Sequence, residues 1–182
     1  ENELKVKVSK RDTPPKLSVI QVGDDPASTS YIKAKSNAAK RVGIELTHYH
    51  LSTDTTESDL CSLIGRLNSS EDGIIVQLPL PKRLESALNE IEPENDVDGF
   101  HPANLGRLVQ GKSGMKPCTP AGIVELLYRS GNDPKGKNVV IVGRSTIVGK
   151  PLSLILSQKG VDATVTLCHS RTSNLQSFCK EA

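Results

Sequence analysis

The stretch that decides the fold is "VVIVGRSTIVGKP", residues 139–151. A run of β-branched residues ends at Gly143, and a segment compatible with a helix starts behind it. A strand that turns on a glycine into a helix opens a βαβ unit, and such units build parallel sheets. The same turn is where backbone amides and a helix N-terminus can receive phosphate. The spelling departs from G-x-G-x-x-G: Gly143 stands first, Ser145 replaces the second glycine, Val148 replaces the third, and Gly149 follows. Taken alone, the motif is equally a plain glycine turn.

The next strand, "ATVTLCH" (163–169), runs into "SRT". An NAD site places an acidic residue at this strand end to hold the ribose hydroxyls. Here stand Cys168, His169, Ser170 and Arg171, with no carboxylate. A hydroxyl and a guanidinium suit a 2′-phosphate, and Arg144, just after the first glycine, is placed to reach the same phosphate. The pattern favours NADP over NAD. The competing reading makes His169 and Arg171 solvated loop residues.

Towards the N-terminus the alternation continues. "KLSVIQVG" (16–23), "IELTHYHL" (44–51) and "GIIVQLPL" (73–80) read as strands, the last apolar enough to be buried on both faces. Helices are predicted around Tyr31, over 56–68 with Thr56 as cap, and over 83–91. Residues 93–120 break the rhythm with dense Pro, Gly and Asp, around a short helix near 104–110, and form a candidate domain junction. A helix over 120–130 leads into the strand–turn–helix of 135–160. The predicted fold class is α/β, with two α/β domains: residues 1–118, and a second, Rossmann-like domain over 119–182.

In "SYIKAKSNAAK" (30–40) three lysines share a predicted helix. At about 100° per residue, Lys33 and Lys40 fall about 20° apart on a polar face. Lys35 falls on the apolar stripe with Tyr31, Ala38, Ala39 and Val42. One reading is a lysine that snorkels to water. The other is a desolvated lysine in a cleft, readier to give up its proton and act as acid or base. Gln77, followed by Pro79 and Pro81, stands at the end of a buried strand, where open α/β sheets bind ligands. Asp96 and Asp98 flank a turn and alone suggest only local caps.

Composition narrows the classes. The 182 residues carry a net charge of +2, are 36% hydrophobic and 24% charged, and include no Trp. No clustered basic run argues for nucleic acid, and no apolar run is long enough for a membrane span. Cys61, Cys118, Cys168 and Cys179 form no C-x-x-C pair and have no histidine at zinc-like spacing. Reduced thiols and no metal site are expected.

Taken together, "SYIKAK", "GIIVQLPLP", "ENDVDGFHPANLGRL", "PCTPAG", "VVIVGRSTIVGKPLSLIL" and "ATVTLCHSRT" resemble the bifunctional methylenetetrahydrofolate dehydrogenase/methenyltetrahydrofolate cyclohydrolase family, in family order over about residues 16–172. The resemblance implies two α/β domains with folate in the cleft between them. It implies that Lys35 is the catalytic lysine, that Tyr31 packs against the pterin, that Gln77 hydrogen-bonds Lys35, and that Asp98 holds the pterin ring. Backbone groups of Val76 and Leu78 would line the same pocket. Gly143, Arg144, Ser145 and Ser170 would bind NADP, with Val148 and Gly149 in the same loop. A homodimer serving one-carbon metabolism and purine biosynthesis is implied as well, cytoplasmic or, as the alternative, organellar. Family members continue with more strands of the cofactor domain, so that domain is expected here in partial form, and this chain alone is expected to bind poorly or to be inactive. Two other readings stay open: a non-catalytic nucleotide-binding or regulatory module, and a monofunctional NAD-linked dehydrogenase.

Overall fold

The computed structural model describes residues 1–182, which divide into two compact units, Glu1–Val97 and Asp98–Ala182.

The first unit opens with α1 (Asn2–Val8) and β1 (Lys16–Val22). It continues through α2 (Pro26–Val42), β2 (Glu45–Leu51), α3 (Glu57–Ser70) and β3 (Gly73–Val76). A 3-10 segment, Lys82–Glu90, follows. The sheet is parallel in the order β2-β1-β3, with Ile20 beside Tyr49 on one side and Val76 on the other. The central strand is buried on both faces, as its apolar run requires. Ile20 and Val22 pack with Leu60, Ile64 and Leu67 of α3 and with Leu84 of the 3-10 segment. On the opposite face Val19 and Ile75 pack against Ile32 of α2.

Local chemistry sets the helix ends. Asp25 caps α2 by accepting from Ser28 N–H at 2.7 Å, Pro26 takes the first helical position, and Gly43 closes the helix at φ +88°. Thr56 and Asp59 form a reciprocal capping box at the start of α3, as the Thr56 cap predicts.

Two predicted elements differ in detail. The strand predicted over 73–80 ends at Val76, because Pro79 and Pro81 cannot donate to a ladder. The polar helix predicted over 83–91 winds as a 3-10 helix, with Leu84 and Ala87 turned inward three residues apart.

The second unit holds α4 (Pro102–Val109), α5 (Cys118–Arg129), β4 (Asn138–Val142), α6 (Gly149–Leu156), β5 (Thr164–Cys168) and α7 (Leu175–Lys180). β4 and β5 pair in parallel, with Ile141 beside Leu167. Ile141 packs with Leu152, Ile155 and Leu156 of α6, Val124 of α5 and Leu108 of α4. Gln158 ties this cluster together by donating to the Leu108 carbonyl at 2.8 Å. No helix of the chain is long and apolar enough to cross a membrane.

Candidate active site

In the first unit the buried stripe of α2 runs through Ser28, Ile32, Ala39 and Val42. The regular spacing of that stripe puts Lys35 between Ile32 and Ala39. Lys33 and Lys40 are exposed, whereas Lys35 is half-buried, as the helical-wheel reading predicts. Its ammonium finds a partner 42 residues away: Lys35 Nζ donates to Gln77 Oε1 at 2.9 Å. A neutral acceptor satisfies a donor of the lysine without cancelling its charge.

Gln77 is the first residue beyond β3. Its N–H still completes the ladder, bonding Ile20 O at 2.8 Å. Its side-chain Nε2 donates to the Leu78 carbonyl at 2.9 Å, which leaves Oε1 facing Lys35. The Leu78–Pro79 peptide is cis. Ser28 Oγ, from the first turn of α2, also donates to Leu78 O, at 3.2 Å. Val76 is buried at the strand end and Leu78 is half-buried in the loop. Tyr31, one turn before Lys35, is 64% exposed and presents an aromatic face to solvent.

The turn that leads into α2 is also held from the sheet. Gln21 Nε2 donates to Gly23 O at 3.0 Å and to Thr29 Oγ1 at 3.2 Å. His50 Nε2 lies 3.0 Å from both Gly23 O and Asp24 Oδ1. The Asp25 carboxyl is held below its ordinary range, chiefly by the Ser28 backbone N–H.

In the second unit the glycine turn has a form that the motif spelling alone does not give. Gly143 has φ +138°, a conformation that favours glycine, and its N–H continues the ladder to Cys168 O at 2.8 Å. A Cβ on Gly149 would lie 1.9 Å from the Gly143 carbonyl oxygen. Gly149 therefore brings helix and strand into close approach, the part that the third glycine plays in a dinucleotide fold. Val148, read from the sequence as standing in for that glycine, does not play it.

Ser145 caps the helix from outside. Its Oγ accepts from Val148 N–H at 3.1 Å and Gly149 N–H at 3.4 Å, and its carbonyl accepts from Lys150 N–H at 3.0 Å. Pro151 has no N–H to offer. The first-turn donors of α6 are thus already engaged, and an anion here would meet the loop at Arg144–Ile147 instead. Arg144 is exposed. At the end of β5 a tight turn is closed by His169 N–H to Thr172 Oγ1 at 2.8 Å and Arg171 N–H to His169 Nδ1 at 3.1 Å. It leaves Ser170 and Arg171 exposed. The donor set of this turn, hydroxyls and guanidinium with no carboxylate, fits a phosphate-bearing cofactor.

The structure thus brings Lys35, Gln77, Val76 and Leu78 together, with Tyr31 on the same helix. Asp98 is half-buried and opens the second unit. Sequence reading missed Ser28, whose partner lies 50 residues away with no local pattern to announce it. The four cysteines are free thiols, as expected.

A lysine held at the strand ends of one parallel sheet, and a glycine turn suited to phosphate in another, put the chain among α/β proteins that bind ligands at the carboxyl ends of their strands. Comparison with known proteins sharpens this. The tetrahydrofolate dehydrogenase/cyclohydrolase catalytic domain matches residues 1–98, and the NAD(P)-binding domain of the same enzymes matches residues 117–182. The bifunctional protein FolD of Agathobacter rectalis is 51% identical over 170 residues, covering 91% of this chain and 60% of the relative. That of Acetivibrio thermocellus is 48% identical over 188 residues, covering 99% of this chain and 65% of the relative. The crystal structure of FolD from Campylobacter jejuni superposes with a TM-score of 0.93 at 42% identity, covering 100% of this chain and 66% of that one. The Trypanosoma brucei enzyme, solved with NADP cofactor and inhibitor, gives a TM-score of 0.91 at 34% identity, covering 100% of this chain and 65% of that one. The chain belongs to the tetrahydrofolate dehydrogenase/cyclohydrolase family. It spans less than two thirds of the length of these curated relatives.

Proposed function

We propose that the protein carrying this chain oxidises 5,10-methylenetetrahydrofolate with NADP and hydrolyses the methenyl product to 10-formyltetrahydrofolate. The observation that carries the reading is the Lys35 Nζ to Gln77 Oε1 hydrogen bond, in a chain of this family. Lys35 serves the hydrolysis as the group that moves a proton between water and the opening ring nitrogen. Gln77 holds the ammonium in place without neutralising it. Tyr31 offers its exposed ring to the pterin, and Asp98 hydrogen-bonds the pterin edge. The backbone of Val76 and Leu78 lines the pocket. Arg144, Ser145 and Ser170 hold the cofactor, with Gly143, Val148 and Gly149 shaping the loop. NADP, when bound, supplies the acceptor for the hydride. For the oxidation the chain's own residues contribute position and exclusion of water.

In sequence, the cofactor-binding half is read as starting at about residue 119, beside the NAD(P)-binding match at 117–182, while the compact units divide earlier, between Val97 and Asp98. The free thiols fit a reducing, cytoplasmic setting. A homodimer is supported by the family resemblance. The test is the oxidation of methylenetetrahydrofolate by the full-length protein with NADP and with NAD. A clear preference for NADP supports the reading. Equal use of both cofactors would favour an NAD-linked dehydrogenase, and absence of turnover and of folate binding would favour a non-catalytic module.

A further inference from the structure

We propose that Ser28 is a positioning residue for the Lys35–Gln77 pair, a role that rests on the catalytic reading of Lys35. The loop after β3 reads Gln-Leu-Pro-Leu-Pro over 77–81. Pro79 and Pro81 bring no N–H, and the Gln77 N–H is taken by Ile20 O at 2.8 Å. The loop is therefore fixed largely through its carbonyls. Leu78 O accepts from two side chains, Gln77 Nε2 at 2.9 Å and Ser28 Oγ at 3.2 Å.

That carbonyl decides which end of the Gln77 amide faces the lysine. With Nε2 donating to Leu78 O, Oε1 is presented to Lys35 Nζ at 2.9 Å. The opposite rotamer would set an NH2 group against an ammonium, donor to donor. Ser28 holds the same carbonyl from α2, the helix that bears Lys35 two turns later. Helix and loop thus meet at two hydrogen bonds, one structural and one at the reactive amine. Ser28 is only 3% exposed, so its hydroxyl has no water to turn to, and a buried hydroxyl without a partner is costly. Its own N–H is occupied by Asp25 at 2.7 Å, which anchors the residue from the other side.

The experiment compares Ser28→Ala and Ser28→Thr in the full-length protein, with Ser36→Ala on the same helix as control. One readout needs no activity: hydrogen exchange of the Gln77 side-chain NH2 in glutamine-labelled protein. The other is the pH profile and the kcat and KM of methenyltetrahydrofolate hydrolysis. Ser28→Ala should speed Gln77 amide exchange by about tenfold and lower kcat by about tenfold, with KM within about twofold and a displaced pH profile. Ser28→Thr should restore both, and Ser36→Ala should change neither. Unchanged Gln77 exchange and an unchanged pH profile in folded Ser28→Ala would overturn the proposal. So would equal losses in Ser28→Ala and Ser28→Thr, which would make packing the cause. Were the wild-type protein inactive, the catalytic reading would fall and Gln77 exchange alone would decide whether Ser28 holds the pair.

Discussion

Replacing Gly149 by alanine should destabilise the second unit, while the same replacement at Gly122 should stabilise it. The added Cβ at Gly149 would stand 1.9 Å from Gly143 O and 2.6 Å from its carbonyl carbon. An ordinary carbon–oxygen contact is about 3.3 Å, so helix and turn must separate by about 1.4 Å. The obstacle is backbone and cannot swing aside. Gly143 is tied to β5 through its N–H at 2.8 Å, so α6 has to move. Leu152, Ile155 and Leu156, all buried in the cluster under β4, would move with it. Overpacking with a backbone shift costs about 1–3 kcal/mol, and a clash against backbone belongs at the upper end. At Gly122, inside α5, an added Cβ meets nothing within 4 Å. There the gain is roughly 0.5–1 kcal/mol, the usual difference between glycine and alanine in a helix. Urea denaturation with matched m-values measures both. A Gly149→Ala variant within about 0.5 kcal/mol of the parent would refute the close-approach reasoning, as would equal losses at the two positions.

Other outcomes follow from the same geometry. Thr56→Ala removes the capping box of α3 and should cost about 1 kcal/mol in urea melts of the chain. The His48 imidazole is held below its usual pKa by partial burial and then by the neighbouring His50, whose ring stacks on it at 5.7 Å. The folded state therefore binds the His48 proton less readily than the unfolded state does. The His48 contribution is full above about pH 6.5 and is lost as pH falls through the depressed value. Ring-proton titration by NMR, with melts between pH 5 and 8, should show this sign, and greater stability on acidification over that range would contradict it. Arg144→Ala in the full-length protein should raise KM for NADP far more than for NAD, because the turn at 169–172 offers no carboxylate to a ribose. Equal changes for both cofactors would make Arg144 a bystander.

Much of this was legible in the sequence where a local rule governs. The strand–helix alternation follows from apolar runs and caps, and the capping box at Thr56 is spelled within four residues. The inward placement of Lys35 follows from helical period alone. What was not legible depends on contacts across the chain. Gln77 as a partner for Lys35 came only through the family resemblance, since 42 residues separate them. The early stop of β3 at Val76 reflects two prolines outweighing an apolar run that continues through Leu80. The part played by Gly149 was hidden because the motif shifts it one place beyond the usual third glycine. Ser145 also caps α6, its Oγ accepting from the Val148 and Gly149 N–H groups, a part the motif spelling does not announce and one that keeps its O–H for a phosphate.

Lys35→Met in the full-length protein asks whether Lys35 moves the proton in the hydrolysis, as proposed. Met fills similar apolar volume between Ile32 and Ala39 and suits a helix, so the fold should persist by circular dichroism. The measurement is the rate of methenyltetrahydrofolate hydrolysis beside that of methylenetetrahydrofolate oxidation, with Lys33→Met on the exposed face as control. Hydrolysis should fall by roughly two orders of magnitude or more, oxidation should fall less, and Lys33→Met should change neither. A folded Lys35→Met protein that hydrolyses at the wild-type rate would contradict the account and leave Lys35 a packed, hydrogen-bonded lysine without a catalytic part.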